Sequence, residues 1–164
     1  MKKQEFIEYY KACAIPMVAM MRIAPKDKLD WKPKDKSWTL GQLLNHCSET
    51  PQLLEALALD KWPTPEELNQ MMANSLKIPN KDGETAAKDF QALVDKIVKV
   101  ISGVSDEDFL NKKTKSLFGG EEVLGKQFQF WTDHQNFHRV ELFMYLKLIG
   151  LPVDTMTLYM GKVN

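Results

Sequence analysis

Trp131-Thr132-Asp133-His134-Gln135-Asn136-Phe137-His138-Arg139-Val140-Glu141 is the stretch on which the reading of this chain turns. The protein has three histidines, and two of them stand four residues apart here, in a segment whose apolar spacing is helical. At about 100° of rotation per residue, positions four apart lie roughly 40° from each other, so both imidazoles leave one face of a helix one turn apart. That is the separation two ligands of one metal ion require. The predicted helix around them runs from roughly Glu121 to Leu148, with Phe130, Trp131, His134, Phe137, His138, Glu141, Leu142, Tyr145 and Ile149 on one face. Gly150 followed by Pro152 ends it.

Three further helices are predicted upstream. Phe6, Tyr9/Tyr10, Cys13, Met17, Met20 and Ala24 step by three and four from Glu5 to about Ile23, with a kink or break expected near Ala12 to Ile15 because Pro16 removes an amide donor. Lys26 to Trp38 reads as a polar loop held by aromatic anchors at Trp31 and Trp38. Thr39 and Gln42 form a capping box that starts a second helix through Leu40, Leu43, Leu44, Cys47, Leu54 and Leu57, bent at Pro51. The third histidine, His46, falls inside its apolar arc. Asp60 to Glu84 carries three prolines and Gly83 and reads as a long connection with one short helix around Glu66 to Ser75. Ala87, Phe90, Leu93/Val94, Ile97 and Val100/Ile101 give a third helix from Glu84 to Ile101, and Ser105 to Gly120 a polar loop with a flexible or strand-like Gly119-Gly120 turn. No convincing strand run is seen. These patterns predict one all-α domain over residues 1–164, a four-helix bundle with a long crossover between its second and third helices.

The composition excludes several classes. Twenty-two Lys plus Arg balance twenty-two Asp plus Glu, so nothing draws the chain to nucleic acid or an anionic membrane, and Lys26 to Lys36 is interrupted by Asp27, Asp30 and Asp35. No apolar run reaches the ~20 residues of a membrane span, and the start of the chain lacks a signal-peptide core. The two cysteines, Cys13 and Cys47, follow no zinc or redox spacing, and a reduced, cytoplasmic protein is expected.

All three histidines fall on core-facing stripes and none in a loop. A single histidine there is ordinarily a core residue satisfied by a neighbour. Three together need a hydrogen-bond partner at each nitrogen, and a shared ion would occupy one nitrogen on each ring. The spacing leaves both readings open, since it does not show that the second and fourth helices face each other. Three imidazoles would leave positions on an ion free for water or substrate, as in catalytic sites. Imidazole suits zinc, nickel, copper or iron. Glu141 is a candidate acceptor for a ligand's N–H or a base that positions water, with an ion pair to Arg139 or Lys147 as the competing role. Glu49 reads as surface, and Cys47 as a small core residue. Trp131, Phe137 and Tyr145 are candidates to line a pocket, or core filler. A di-iron carboxylate centre is disfavoured, because the order here is His-x-x-Glu and the first and third helices offer no core Glu.

Asp30-Trp31-Lys32-Pro33, then Ser37-Trp38-Thr39-Leu40-Gly41-Gln42-Leu43-Leu44-Asn45-His46, His134-Gln135-Asn136-Phe137-His138-Arg139-Val140-Glu141-Leu142, and Tyr145 to Val153 together resemble the DinB family of four-helix-bundle proteins over nearly the whole chain. The resemblance implies a divalent metal held by His46, His134 and His138, zinc or nickel foremost and iron or manganese as alternatives. It further implies a homodimer acting on a small-molecule substrate, with a low-molecular-weight thiol as co-substrate in some members of the family. Where the family usually carries Gly-Gln after the His-Arg pair, this chain has Val140-Glu141, which adds negative charge beside the site. The activity expected is transfer, isomerisation or hydrolysis through a metal-activated thiol or water. The rival is a non-catalytic dimeric bundle acting as a stress-response or binding module.

Overall fold

The computed structural model describes all residues except 60, 62, 76, 117, 118 and 164, together with all described side chains other than those of residues 72 and 75. Its elements are α1 (Lys3–Arg22), α2 (Leu40–Glu49), α3 (Gln52–Ala58), α4 (Pro65–Ser75), α5 (Gly83–Gly103), α6 (Asp106–Asn111), β1 (Lys113–Lys115), β2 (Glu121–Val123), α7 (Leu124–Ile149) and α8 (Thr155–Met160). The bundle is formed by α1, the α2–α3 pair, α5 and α7. Both α1 and α2 pack against α5 and against α7. The second and fourth bundle helices are therefore neighbours, which the histidine spacing alone left open.

Local chemistry explains most boundaries. Thr39 and Gln42 make the reciprocal capping box at the start of α2, two otherwise orphaned amides being satisfied by side chains. Pro51 does more than bend the second helix. It divides it, and the Thr50 N–H and hydroxyl both donate to the His46 carbonyl, at 3.0 and 2.8 Å, while Leu54 and Leu57 of α3 stay buried. Pro16 does less than expected, for α1 continues through it without a break. The carbonyl that loses its donor belongs to Ala12, which is exposed and so open to water.

The connections hold the larger differences. α4 occupies the crossover as expected, parts of which lie outside the described residues. The segment between α4 and α5 is pinned to α2 by the buried Asn45, which accepts the Lys81 N–H at 2.9 Å and donates to the carbonyls of Pro79 and Ile78 at 3.2 and 3.4 Å. The loop after α5 is not plain coil. Ser105 caps α6, whose Phe109 enters the core against Phe6 and Phe128, and β1 pairs antiparallel with β2. The hairpin was not legible because its strands are three residues of mostly charged sequence, too short for alternation to show. Buried Gln127 of α7 fastens it by donating to the Thr114 carbonyl at 2.9 Å and its hydroxyl at 2.7 Å. A last helix, α8, is capped by Asp154 and also escaped the sequence reading.

α7 starts three residues later than expected and ends at Gly150, whose φ of 95° suits glycine. Its buried side is turned relative to the expected face. Phe137 is 71% exposed and Phe130 47%. Phe137 stands five residues before Leu142, roughly 140° around the helix, and Leu142 belongs to the buried side with Phe128, Trp131, Gln135, Tyr145 and Leu146. His134 and His138 lie at the edge of this side, facing α2.

Candidate metal centre

His46 leaves α2 one turn before the Thr50 cap, and His134 and His138 leave α7 one turn apart. The three Nε2 atoms converge. His138 Nε2 lies 2.9 Å from His46 Nε2 and 3.2 Å from His134 Nε2, and one ligand atom from each ring falls within 4.8 Å of the others. Nitrogen–metal bonds of about 2.0–2.1 Å with ligands about 90–110° apart would set neighbouring nitrogens roughly 2.8–3.4 Å from each other. The rings also stand nearly perpendicular to one another, at 75° for His46 and His138 and 88° for His134 and His138, so their edges rather than faces meet.

Hydrogen bonding alone does not account for this arrangement. His138 Nδ1 lies 2.9 Å from Glu141 Oε2, so the proton belongs on Nδ1, donated to the carboxylate. Nε2 of His138 is then a single lone pair facing two neighbours, of which it can accept a hydrogen from one. A shared cation satisfies all three lone pairs, and the residues present therefore fit a divalent metal. Burial first, and then the neighbouring imidazoles of His138 and His134, lower the pKa of His46 to about 4. Burial and then His138 lower that of His134 as well. Both rings are held neutral, the form that ligates.

The surroundings are only partly those expected. Trp131 packs against His134 with centroids 5.6 Å apart, and the Tyr145 hydroxyl donates to the Trp38 carbonyl at 3.0 Å, whereas Phe137 points to solvent and lines nothing. Trp38, read from the sequence as a loop anchor, lies over His46 at 4.7 Å and stacks on His138 at 6.1 Å. The signal that could have placed it was its position one residue before the Thr39 cap, which fixes it at the mouth of α2. Among the described residues, Glu141 pairs with His138 rather than with Arg139 or Lys147. Glu49 pairs with Lys81 at 3.5 Å. Cys47 is fully buried, and burial followed by the Glu141 charge pushes its thiol well above the ordinary range, so it is no nucleophile at neutral pH.

A family model for the DinB superfamily matches residues 17–142, a span that contains all three histidines and Glu141. The chain belongs to the DinB superfamily. Solved structures agree with this membership at the level of fold. A DinB-like protein from Bacillus cereus superposes with a TM-score of 0.75 at 17% identity, covering 94% of this chain and 98% of its own. A DinB-like protein from Bacillus subtilis gives 0.63 at 16%, covering 89% and 92%. A mycothiol-dependent maleylpyruvate isomerase gives 0.70 at 11%, with 87% of this chain and 61% of that one covered. No curated protein sequence matches the chain. Among the described residues of this DinB-superfamily chain, no helix is long and apolar enough to cross a membrane.

Proposed function

We propose that this protein is a divalent-metal enzyme in which His46, His134 and His138 hold the ion and a small molecule, with a low-molecular-weight thiol or water, is activated there for transfer, isomerisation or hydrolysis. The observation that carries the reading is the convergence of three Nε2 atoms, one of them with two neighbours for its single lone pair. The fold shared with a mycothiol-dependent maleylpyruvate isomerase supports a thiol as co-substrate. The imidazole donors suit zinc, nickel, copper or iron alike, and the family resemblance puts zinc or nickel first, with iron or manganese behind them.

A bound ion would act as a Lewis acid, lowering the pKa of a thiol or water that reaches it. The protein's own residues prepare for this. The Glu141 carboxylate accepts the His138 Nδ1–H, fixing the ring's tautomer and raising the basicity of Nε2. Trp38 shields one side of His46 and His138 from water. Because Glu141 remains 39% exposed at its side chain, it could also take a proton from an arriving thiol or water. Metal analysis of tag-free protein tests the centre, with about one equivalent per chain expected. Turnover of a panel of electrophiles with mycothiol, bacillithiol and glutathione tests catalysis. Metal bound without any turnover would favour the binding-module rival.

The homodimer belongs to the same proposal. Phe130, Phe137 and Met144 recur at seven-residue steps on the outer side of α7, with Val140 and Leu148 beside them, all between 44% and 71% exposed. A seven-residue apolar repeat is the pattern by which one helix packs on another. Light scattering should give twice the chain mass, reduced to one by Phe137→Glu with Met144→Glu. The free, buried Cys13 and Cys47 suit a reducing cytoplasmic setting.

A further inference from the structure

A groove beside the histidines has a different chemistry from the centre itself. His46, Glu49, Thr50, Gln52 and Leu53 from the α2–α3 junction face Leu68 and Met71 of α4 across a cavity of about 100 Å³. Its volume lies between the ~30 Å³ share of one water and the ~150 Å³ of a cavity that takes benzene. Most of its surface is aliphatic. Met71, in the crossover, leaves its side chain 44% exposed at the rim of the groove. Among the described residues, Glu49 is the one carboxylate on the wall. Its partner Lys81, at 3.5 Å, also pairs with Asp89 at 3.0 Å, so one ammonium is divided between two carboxylates and the Glu49 charge is only partly offset. His46 lines the groove and is also a member of the histidine trio, so the two sites share that one residue.

We infer that this groove receives a short, uncharged alkyl or thioether arm of the molecule bound at the histidine centre, with Leu53, Leu68 and Met71 setting its length and Glu49 excluding an anionic end. The inference rests on the metal-centre reading and adds the substrate class. Set against the ~150 Å³ of a cavity that takes the six carbons of benzene, the volume admits roughly four carbons beyond the ligating atom. A longer arm meets solvent and gains nothing.

Calorimetric titration of zinc-loaded protein with n-alkanethiols from ethanethiol to pentanethiol tests it without relying on turnover. Each methylene should tighten binding about fourfold as far as butanethiol, the transfer contribution of one buried CH₂, and then stop. Leu68→Trp and, separately, Met71→Trp should fill the groove and shrink the ratio of butanethiol to ethanethiol affinity toward one. A thiol ending in carboxylate should bind at least tenfold more weakly than the uncharged thiol of equal length, and Glu49→Gln should narrow that gap. Ethanethiol binding with no dependence on chain length would overturn the groove assignment and leave the metal centre standing. No ethanethiol binding to zinc-loaded protein would overturn the groove assignment together with the reading that the centre takes a thiol, and metal analysis alone would then decide the centre.

Discussion

The two flanks of α7 carry polar clusters of similar size and opposite logic. Toward α2, His134 and His138 meet His46, with like atoms facing like: His138 Nε2 lies within hydrogen-bond distance of the other two Nε2 atoms and has one lone pair for both. Toward α1, Asp133 and Asn136 meet Tyr9 and Cys13, and unlike atoms are paired. Asn136 Nδ2 donates to the Tyr9 hydroxyl at 3.0 Å and reaches Cys13 Sγ at 3.6 Å, and the Tyr9 hydroxyl points at Asp133 Oδ1 at 3.5 Å, leaving only Asn136 Oδ1 of this group buried without a partner. A cluster whose members complete one another holds two helices together. A cluster whose members compete has a place for the shared cation proposed above.

The sharpest way to break this contrast is to delete one residue from each flank. His138→Ala should reduce bound metal per chain by at least tenfold, measured by elemental analysis, because it removes the central ligand; Asn136→Ala should leave metal content within error. Equal losses from both would show that the flanks do not differ as described. Next in size, Glu141→Gln should weaken metal affinity about tenfold in competition with a chelator, since an amide oxygen still accepts the His138 N–H but without charge. An unchanged affinity would mean that the carboxylate does not tune the ligand.

The flanks should also fail at opposite ends of the pH scale when the metal is absent. The folded state holds His46 and His134 neutral below the ordinary histidine value of 6.5, so the unfolded chain takes up protons first, and stability present above pH 6.5 is lost as pH falls toward about 4. On the other flank, burial first and then a hydrogen bond with Cys13 raise Tyr9 to about 12 from 10.0, so stability present below pH 10 is lost as pH rises through about 12. Urea midpoints of chelated protein across pH check both limbs, and His46→Gln should flatten the acid limb alone. The smallest effect belongs to Tyr9→Phe, which should cost about 0.5–1.5 kcal/mol in urea unfolding, the contribution of one ordinary hydrogen bond, with metal content unchanged.

How much of this was legible beforehand differs element by element. The capping box at Thr39 and Gln42, the glycine stop at Gly150 and the aliphatic stripe of α5 are local devices, and local sequence states them. The hairpin at β1–β2 and the exposure of Phe137 are not local. Three-residue strands carry no period, and an aromatic residue at helical spacing reads as inward until the neighbouring helices decide which arc of α7 they cover. Trp38 was legible as an anchor but not as the ring over His46 and His138, because its target lies on two other elements.

The sequence by itself determined that His134 and His138 share one helical face, since a four-residue step fixes their angle whatever surrounds them. It determined as well that His46 opens inward from α2. Only the tertiary structure decided that these two faces meet. That depends on α2 and α7 being adjacent in the bundle, an outcome of packing α1, α2–α3, α5 and α7 around one core rather than of any motif. The same packing turned Phe137 outward and laid α4 along the groove beside His46.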